Sequence, residues 1–264
     1  MARLKGLLSY RGSFKNVRHY HNLHNPATYA GEKGGANRDL IMNNSSFVRT
    51  RETMNEFGGV AVAVKSIRNG LQFLQPGQTD QYFTGRLIQL VKEINLRDEM
   101  DPRGQRSIFF STQKQLIGKM IFNVKTKTLE MLQGHFTCSH SVARDAATLS
   151  VTDLAIGQPW LPCGATHYRV LNHLCVISDH VYVAENRRYE SSSALGGLGA
   201  SGYSDFNPVN SMLSFDVKTS FPGSIALTDD CTVVQCIGVE FYVRSFGNVY
   251  LPLKGGCLKI GEVF

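Results

Sequence analysis

The chain has 264 residues, of which 42% are hydrophobic and 19% charged, with a formal net charge of +7. That is enough apolar material for one large core or two small ones, and it excludes a disordered chain. No stretch approaches the ~18 apolar residues of a membrane helix and Gly6-Leu7-Leu8 is too short for a signal-peptide core, so a soluble chain made in the cytoplasm, with no membrane span, is expected.

The charge is placed unevenly: residues 1–70 hold 11 Lys+Arg and 4 Asp+Glu, and residues 71–264 hold 17 of each. Within residues 1–35, Leu8, Tyr10, Phe14, Val17, Tyr20 and Tyr29 are dispersed among polar residues between Gly12 and Gly34-Gly35, which predicts a basic β-hairpin. A two-stranded ribbon is marginal alone and must pack on its own body or on another subunit. A basic arm on a neutral body fits nucleic acid, an anionic surface or an acidic neighbour, and Arg3, Lys5, Arg11, Lys15 and Arg18 are its candidate phosphate contacts.

A helix follows, with Thr53-x-x-Glu56 as a capping box and an apolar stripe of Met54, Phe57, Ala61, Val64, Ile67, Leu71 and Leu74, stopping before Pro76. Thr79 or Asp80 can cap a second helix that buries Phe83, Leu87, Leu90, Val91 and Ile94 while Arg86, Lys92 and Glu93 face out. A third, short helix is expected within Thr112–Met120. From about Lys125 the texture becomes β: Thr126–Leu132, Phe136–Val142, Ala147–Asp153, Tyr168–Ser178, Val181–Ala184, Met212–Thr219, Cys231–Ser245, Val249–Leu253 and Cys257–Val263. Nine such runs predict an antiparallel β-sandwich, so the fold class is α+β: an arm over 1–45, a helical segment over 46–123 and a sandwich over 124–264. The clearest hairpin joins Glu240–Arg244 to Val249–Leu253 through Phe246-Gly247-Asn248. There, Val239, Phe241 and Val243 form the apolar face and Glu240, Tyr242 and Arg244 the polar one.

Lys33-Gly34-Gly35 and the run Arg49-Thr50-Arg51-Glu52-Thr53-Met54-Asn55-Glu56-Phe57-Gly58 resemble the opening of a conserved, functionally uncharacterised protein family of Bacteroidota. Pro162-x-Gly164-Ala165-Thr166-His167-Tyr168, Gly238-Val239-Glu240-Phe241-Tyr242 and Tyr250-x-Pro252-Leu253-Lys254-Gly255-Gly256 are similar to that family's body and C-terminal hairpin. The chain departs from the pattern by its His19–Tyr29 segment and by lacking a proline near Ser46. The resemblance implies relatives, not an activity.

Chemistry-bearing patterns are present but incomplete. Gly197-x-Gly199-x-x-Gly202 matches the dinucleotide fingerprint literally, yet it follows Ser191-Ser192-Ser193 and leads into turn sequence, which predicts a flexible surface or inter-subunit loop. His19-x-His21-x-x-His24 has strand spacing for metal ligation but no carboxylate within the cluster, and Cys138-x-His140 on a strand is expected to have one member in the core, so no metal and no cofactor is expected. Cys163 with His167, or Cys175 with His173 and Asp179, lack a nucleophile motif, so no catalytic residue, enzyme activity or small-molecule substrate is assigned. The six cysteines form no C-x-x-C and read as reduced thiols. Arg49, Arg51, Glu52, Glu56 and Arg68 form the densest charged group, which predicts an ion-pair or interface cluster. These features favour a structural, self-associating protein, a homo-oligomer or helical filament or tube that is part of a released particle or filament. The alternative is a coat-type protein whose basic arm binds nucleic acid.

Overall fold

A computed structural model describes residues 2–3, 12–22, 25–32, 34–72, 78–124, 133–156, 161–223 and 225–264. Contacts gather the chain into two units, residues 1–51 and 52–264. In the first, β1 (Ala2–Arg3), β2 (Gly12–Phe14), β3 (Val17–Asn22) and β4 (Asn25–Glu32) form an antiparallel sheet in the order β1-β4-β3-β2. The expected ribbon is therefore part of a four-stranded sheet, whose added strands supply ladder partners that a lone hairpin lacks. Lys15, at φ 50°, turns β2 into β3. Helix α1 (Arg38–Asn43) is capped by Asn37, whose side-chain oxygen accepts from the Leu40 amide at 2.7 Å. Arg51 closes its other end, donating to the carbonyls of Ile41 at 2.6 Å and Asn44 at 2.9 Å.

The second unit holds all but the start of α2 (Val48–Gly70), then α3 (Phe83–Leu96) and the short α4 (Lys114–Ile117). Its strands are β5 (Gln133–His140), β6 (Ala146–Ala155), β7 (His167–Ser178), β8 (His180–Val183), β9 (Arg188–Ser191), β10 (Gly199–Tyr203), β11 (Asn207–Pro208), β12 (Met212–Ser220), β13 (Cys231–Arg244) and β14 (Tyr250–Val263). The chain is α+β, but the strands are divided among sheets rather than joined in one nine-stranded sandwich. One sheet runs β10-β7-β13-β14 with β11 also on β7, a second runs β12-β6-β5, and β8 pairs with β9. The runs Val249–Leu253 and Cys257–Val263 are one strand, β14, with a bulge opposite Glu240. The run Thr126–Leu132 lies, apart from its neighbours, outside the described residues.

The division follows from what covers each face. On one side of the larger sheet, Leu171 and Cys175 of β7 and Val234 and Cys236 of β13 pack against Val60, Val64 and Ile67 of α2 and Leu87 and Val91 of α3. On the other, Tyr168, Val170, Val239 and Phe241 meet Leu149, Val151 and Leu154 of β6 and Val217 of β12. The helical segment and the strands thus share one core. Because the second face of β13 is covered as well, with Gln78 bonded to Glu240 and the Phe206 ring against Tyr242, Glu240 and Tyr242 are buried along with Val239 and Phe241, and the expected polar row does not reach solvent until Arg244.

The glycine run is also structured, contrary to the flexible loop expected of it. Gly199 to Gly202 lie in β10, paired with β7, and no helix follows to receive a pyrophosphate. A Cβ at Gly199 would overlap the Gly70 carbonyl at the end of α2, and one at Gly202 the Lys218 carbonyl of β12. Small residues are required there because backbones approach from both sides.

Two changes measure this packing. Phe241→Ala should cost about 3–5 kcal/mol in denaturant unfolding, the penalty of a large core truncation. Gly199→Ala should lower the melting temperature and raise amide exchange in β10, because the Gly70 carbonyl belongs to a helix end that cannot yield cheaply.

Candidate functional site

Helix α2 carries two unlike faces. The helix starts at Val48, directly after a 3₁₀ turn at Ser45–Phe47, so Thr53 and Glu56 lie inside it rather than at a cap. Amides at these positions are already satisfied within the helix, and the Glu56 carboxylate, 3% exposed, is used elsewhere. It accepts from the Gly104 amide at 2.8 Å and pairs with Lys92 and, at 3.9 Å, with Arg106. Lys92 also donates to Asn95 at 2.7 Å, and Asn95 donates to the Arg106 carbonyl at 2.6 Å. Lys92 of α3 therefore points inward, not out as expected. Glu52 pairs with Arg103 at 3.4 Å, and Asn55 donates to the Gly104 carbonyl at 2.5 Å. Together these groups fasten the segment 97–107 to α2. Burial alone would raise the Glu56 carboxyl, but hydrogen bonds from Lys92 and Gly104 and the charges of Lys92 and Arg106 hold it below the ordinary glutamate value.

The opposite face of α2 is apolar and open. Met54, Phe57 and Val62 are 54%, 53% and 46% exposed, with Gly58 and Ala61 exposed between them. The expected single stripe is therefore two: Met54, Phe57 and Ala61 look outward, while Val64, Ile67 and Leu71 are buried. Neighbouring glycines differ in the same way. A Cβ at Gly59 would meet the Tyr189 ring, whereas one at Gly58 meets nothing within 4 Å among the described residues.

The other candidate groups are dispersed. Arg49 is exposed on the first turn of α2; Arg68, also exposed, lines a cleft of about 630 Å³ with Lys65, Asn69, Gln72 and Thr84. Arg18 of β3 and Lys15 are exposed, Arg3 stands opposite Tyr29 in the ladder, and Lys5 and Arg11 lie outside the described residues. Cys175 is buried, which pushes its thiol up to about 12; His173 is driven down to about 4 by burial despite its bond to the Gly70 carbonyl at 2.8 Å. Asp179 is bound to Ser111 at 2.6 Å, so these three do not make a relay. Cys163 is exposed, and His167 contacts Thr166 at 3.0 Å. His140 sits 3.2 Å from Glu262 and stacks on Phe264. His19 is buried in β3, while the His21 side chain and His24 lie outside the described residues; among those residues no three metal-ligating groups converge. All six cysteines are free. Among the described residues no helix is long and apolar enough to cross a membrane.

Compared with family models, curated proteins and solved structures, the chain matches none.

Because the Glu56 carboxyl is lowered on folding, its contribution is present above the ordinary glutamate range and is lost as pH falls through that range and below it. Glu56→Gln should destabilise the protein by on the order of 1.5–3 kcal/mol at neutral pH. Unfolding by urea across an acid series should show the gap to wild type narrowing as pH drops.

Proposed function

We propose that the protein is a structural subunit that self-associates through the outer face of α2, giving a homo-oligomer or a helical filament or tube. The observation that carries this reading is the open stripe of Met54, Phe57, Ala61 and Val62 around an exposed Gly58. A glycine inside a helix costs roughly 0.5–1 kcal/mol relative to alanine, and no atom among the described residues needs the space at Gly58. A second copy would use it: Phe57 of one helix laid over Gly58 and Ala61 of another makes the stripe complementary to itself, as an isologous contact requires. Contiguous exposed apolar surface of this kind marks an interaction site. Further contacts of the same chain extend such a pair into a polymer.

In light scattering coupled to gel filtration, wild type should elute as an oligomer. Phe57→Glu and Gly58→Trp should each shift it toward monomer with little loss of melting temperature, since neither side chain position contacts the core. A monomeric wild type at tens-of-micromolar concentration, or variants that keep the full assembly size, would overturn the reading.

A further inference from the structure

The net charge of the whole chain resides in its first unit. Residues 1–51 hold nine Lys+Arg and two Asp+Glu, and residues 52–264 hold nineteen of each. The β-sheet of this unit has two different faces. Register pairs Tyr20 of β3 with Tyr29 of β4, Arg18 with Gly31, and Ser13 of β2 with Arg18, which places these residues on one face. Arg3 of β1 stands in register with Tyr29. His19 and Thr28, on the opposite face, are buried. Tyr20 and Tyr29 are half-buried, their rings stacked with centroids 6.0 Å apart and planes 27° from parallel. Arg18 is exposed beside them, and Lys15 is exposed at the β2–β3 turn.

We propose that this face binds single-stranded nucleic acid, bases stacking on the Tyr20–Tyr29 platform and phosphates meeting Arg18 and Lys15. The combination of an aromatic platform on a strand ladder with flanking cations is what an unpaired strand recognises, because every base offers a ring face and every linkage a negative charge. A duplex keeps its bases stacked inside and has no use for the tyrosines. An anionic membrane would want hydrocarbon to insert, and the register neighbours on this face are Ser13 and Gly31. The proposal rests on the first unit and does not require the α2 contact.

The test uses the full-length protein and a fluorescent 20-nucleotide oligo-uridylate, with a duplex of equal length and phosphatidylserine-containing vesicles alongside. Anisotropy should show salt-dependent binding to the single strand. Tyr20→Leu with Tyr29→Leu should weaken it about tenfold or more at every salt concentration, while Tyr20→Phe with Tyr29→Phe should retain it. Lys15→Gln with Arg18→Gln should reduce the slope of log affinity against log salt by about 1.4, two phosphate contacts on a single strand. Should the leucine variant not fold, ultraviolet crosslinking of wild type carries the test: adducts should map to the tryptic peptide spanning residues 19–33. Leucine or glutamine variants that bind as wild type does, crosslinks confined to residues 52–264, or binding to duplex or vesicles that equals or exceeds binding to the single strand would each overturn the proposal. Retained binding by the monomeric Phe57→Glu protein separates this site from the assembly contact, and loss of binding there would overturn the claim that the first unit suffices.

Discussion

Strands β7 and β13 are covered on both faces, and the second unit is organised around meeting that demand. Most of the polar groups they carry find a partner inside, since burying one without a hydrogen bond costs more than packing around it returns; among the described residues the exceptions include Thr232 Oγ1 and Gln235 Oε1. The partners are in the adjoining layers. Asn172 donates to the carbonyls of Ala147 at 3.1 Å and Val217 at 2.9 Å, stitching the larger sheet to β6 and β12, and Gln235 completes it at 2.9 Å. His173 donates to Gly70 at the end of α2. Glu240 is reached by Tyr242 at 2.6 Å and by Gln78 at 3.1 Å, just ahead of α3. The few polar residues of the central strands thus determine where the helices and the second sheet attach, while the apolar ones supply the driving force.

Glycine placement extends the same logic to the helix layer. Gly59 lets the Tyr189 ring lie on α2, Gly70 makes room for the Cys175 thiol of β7, and Gly199 lets β10 touch the end of that helix. Each removes a Cβ that another group occupies. Gly58 removes one that nothing among the described residues replaces, and it sits among Met54, Phe57 and Val62 on the face away from the core. Under the proposed self-association, a second copy would occupy that space.

Much of the fold was legible because its signals are local. The hairpin through Phe246-Gly247-Asn248 forms as read, with Gly247 and Asn248 at positive φ, and α3 and α4 lie where the apolar period puts them, although the expected cap does not form: α3 starts at Phe83 after Tyr82, and Asp80 accepts from the Tyr82 amide in the turn before it. The misreadings share a different cause. The run Met54, Phe57, Ala61, Val64, Ile67 contains two successive three-residue steps, each falling about 60° short of a full turn, so its ends point to different sides of the helix. A count of apolar spacings joins them; the angle separates them. Thr53 and Glu56 matched a cap because spacing says nothing of where a helix begins, and Lys92 read as a surface lysine because its partner is 36 positions away. The glycine run read as a loop because close backbone approach from α2 and β12 is a tertiary fact. The sheet division was equally hidden, since continuous burial and alternation differ only once the covering layer is known.

The proposed contact and the proposed ligand constrain each other through charge. The second unit is formally neutral and pairs its acids internally, as Glu56 with Lys92 and Asp80 with Arg86 do. The first unit's excess of seven positive charges is uncompensated by sequence, so each subunit added to an assembly adds the same excess. Self-repulsion of that kind opposes association wherever first units lie within a Debye length, about 10 Å at 0.1 M salt. An apolar contact on α2 is indifferent to salt, whereas a polyanion bound to the first unit removes the repulsive charge outright. If both surfaces act as proposed, binding a single strand and assembling are positively linked, and by the reciprocity of linkage the assembled protein holds the strand more tightly than the monomer does.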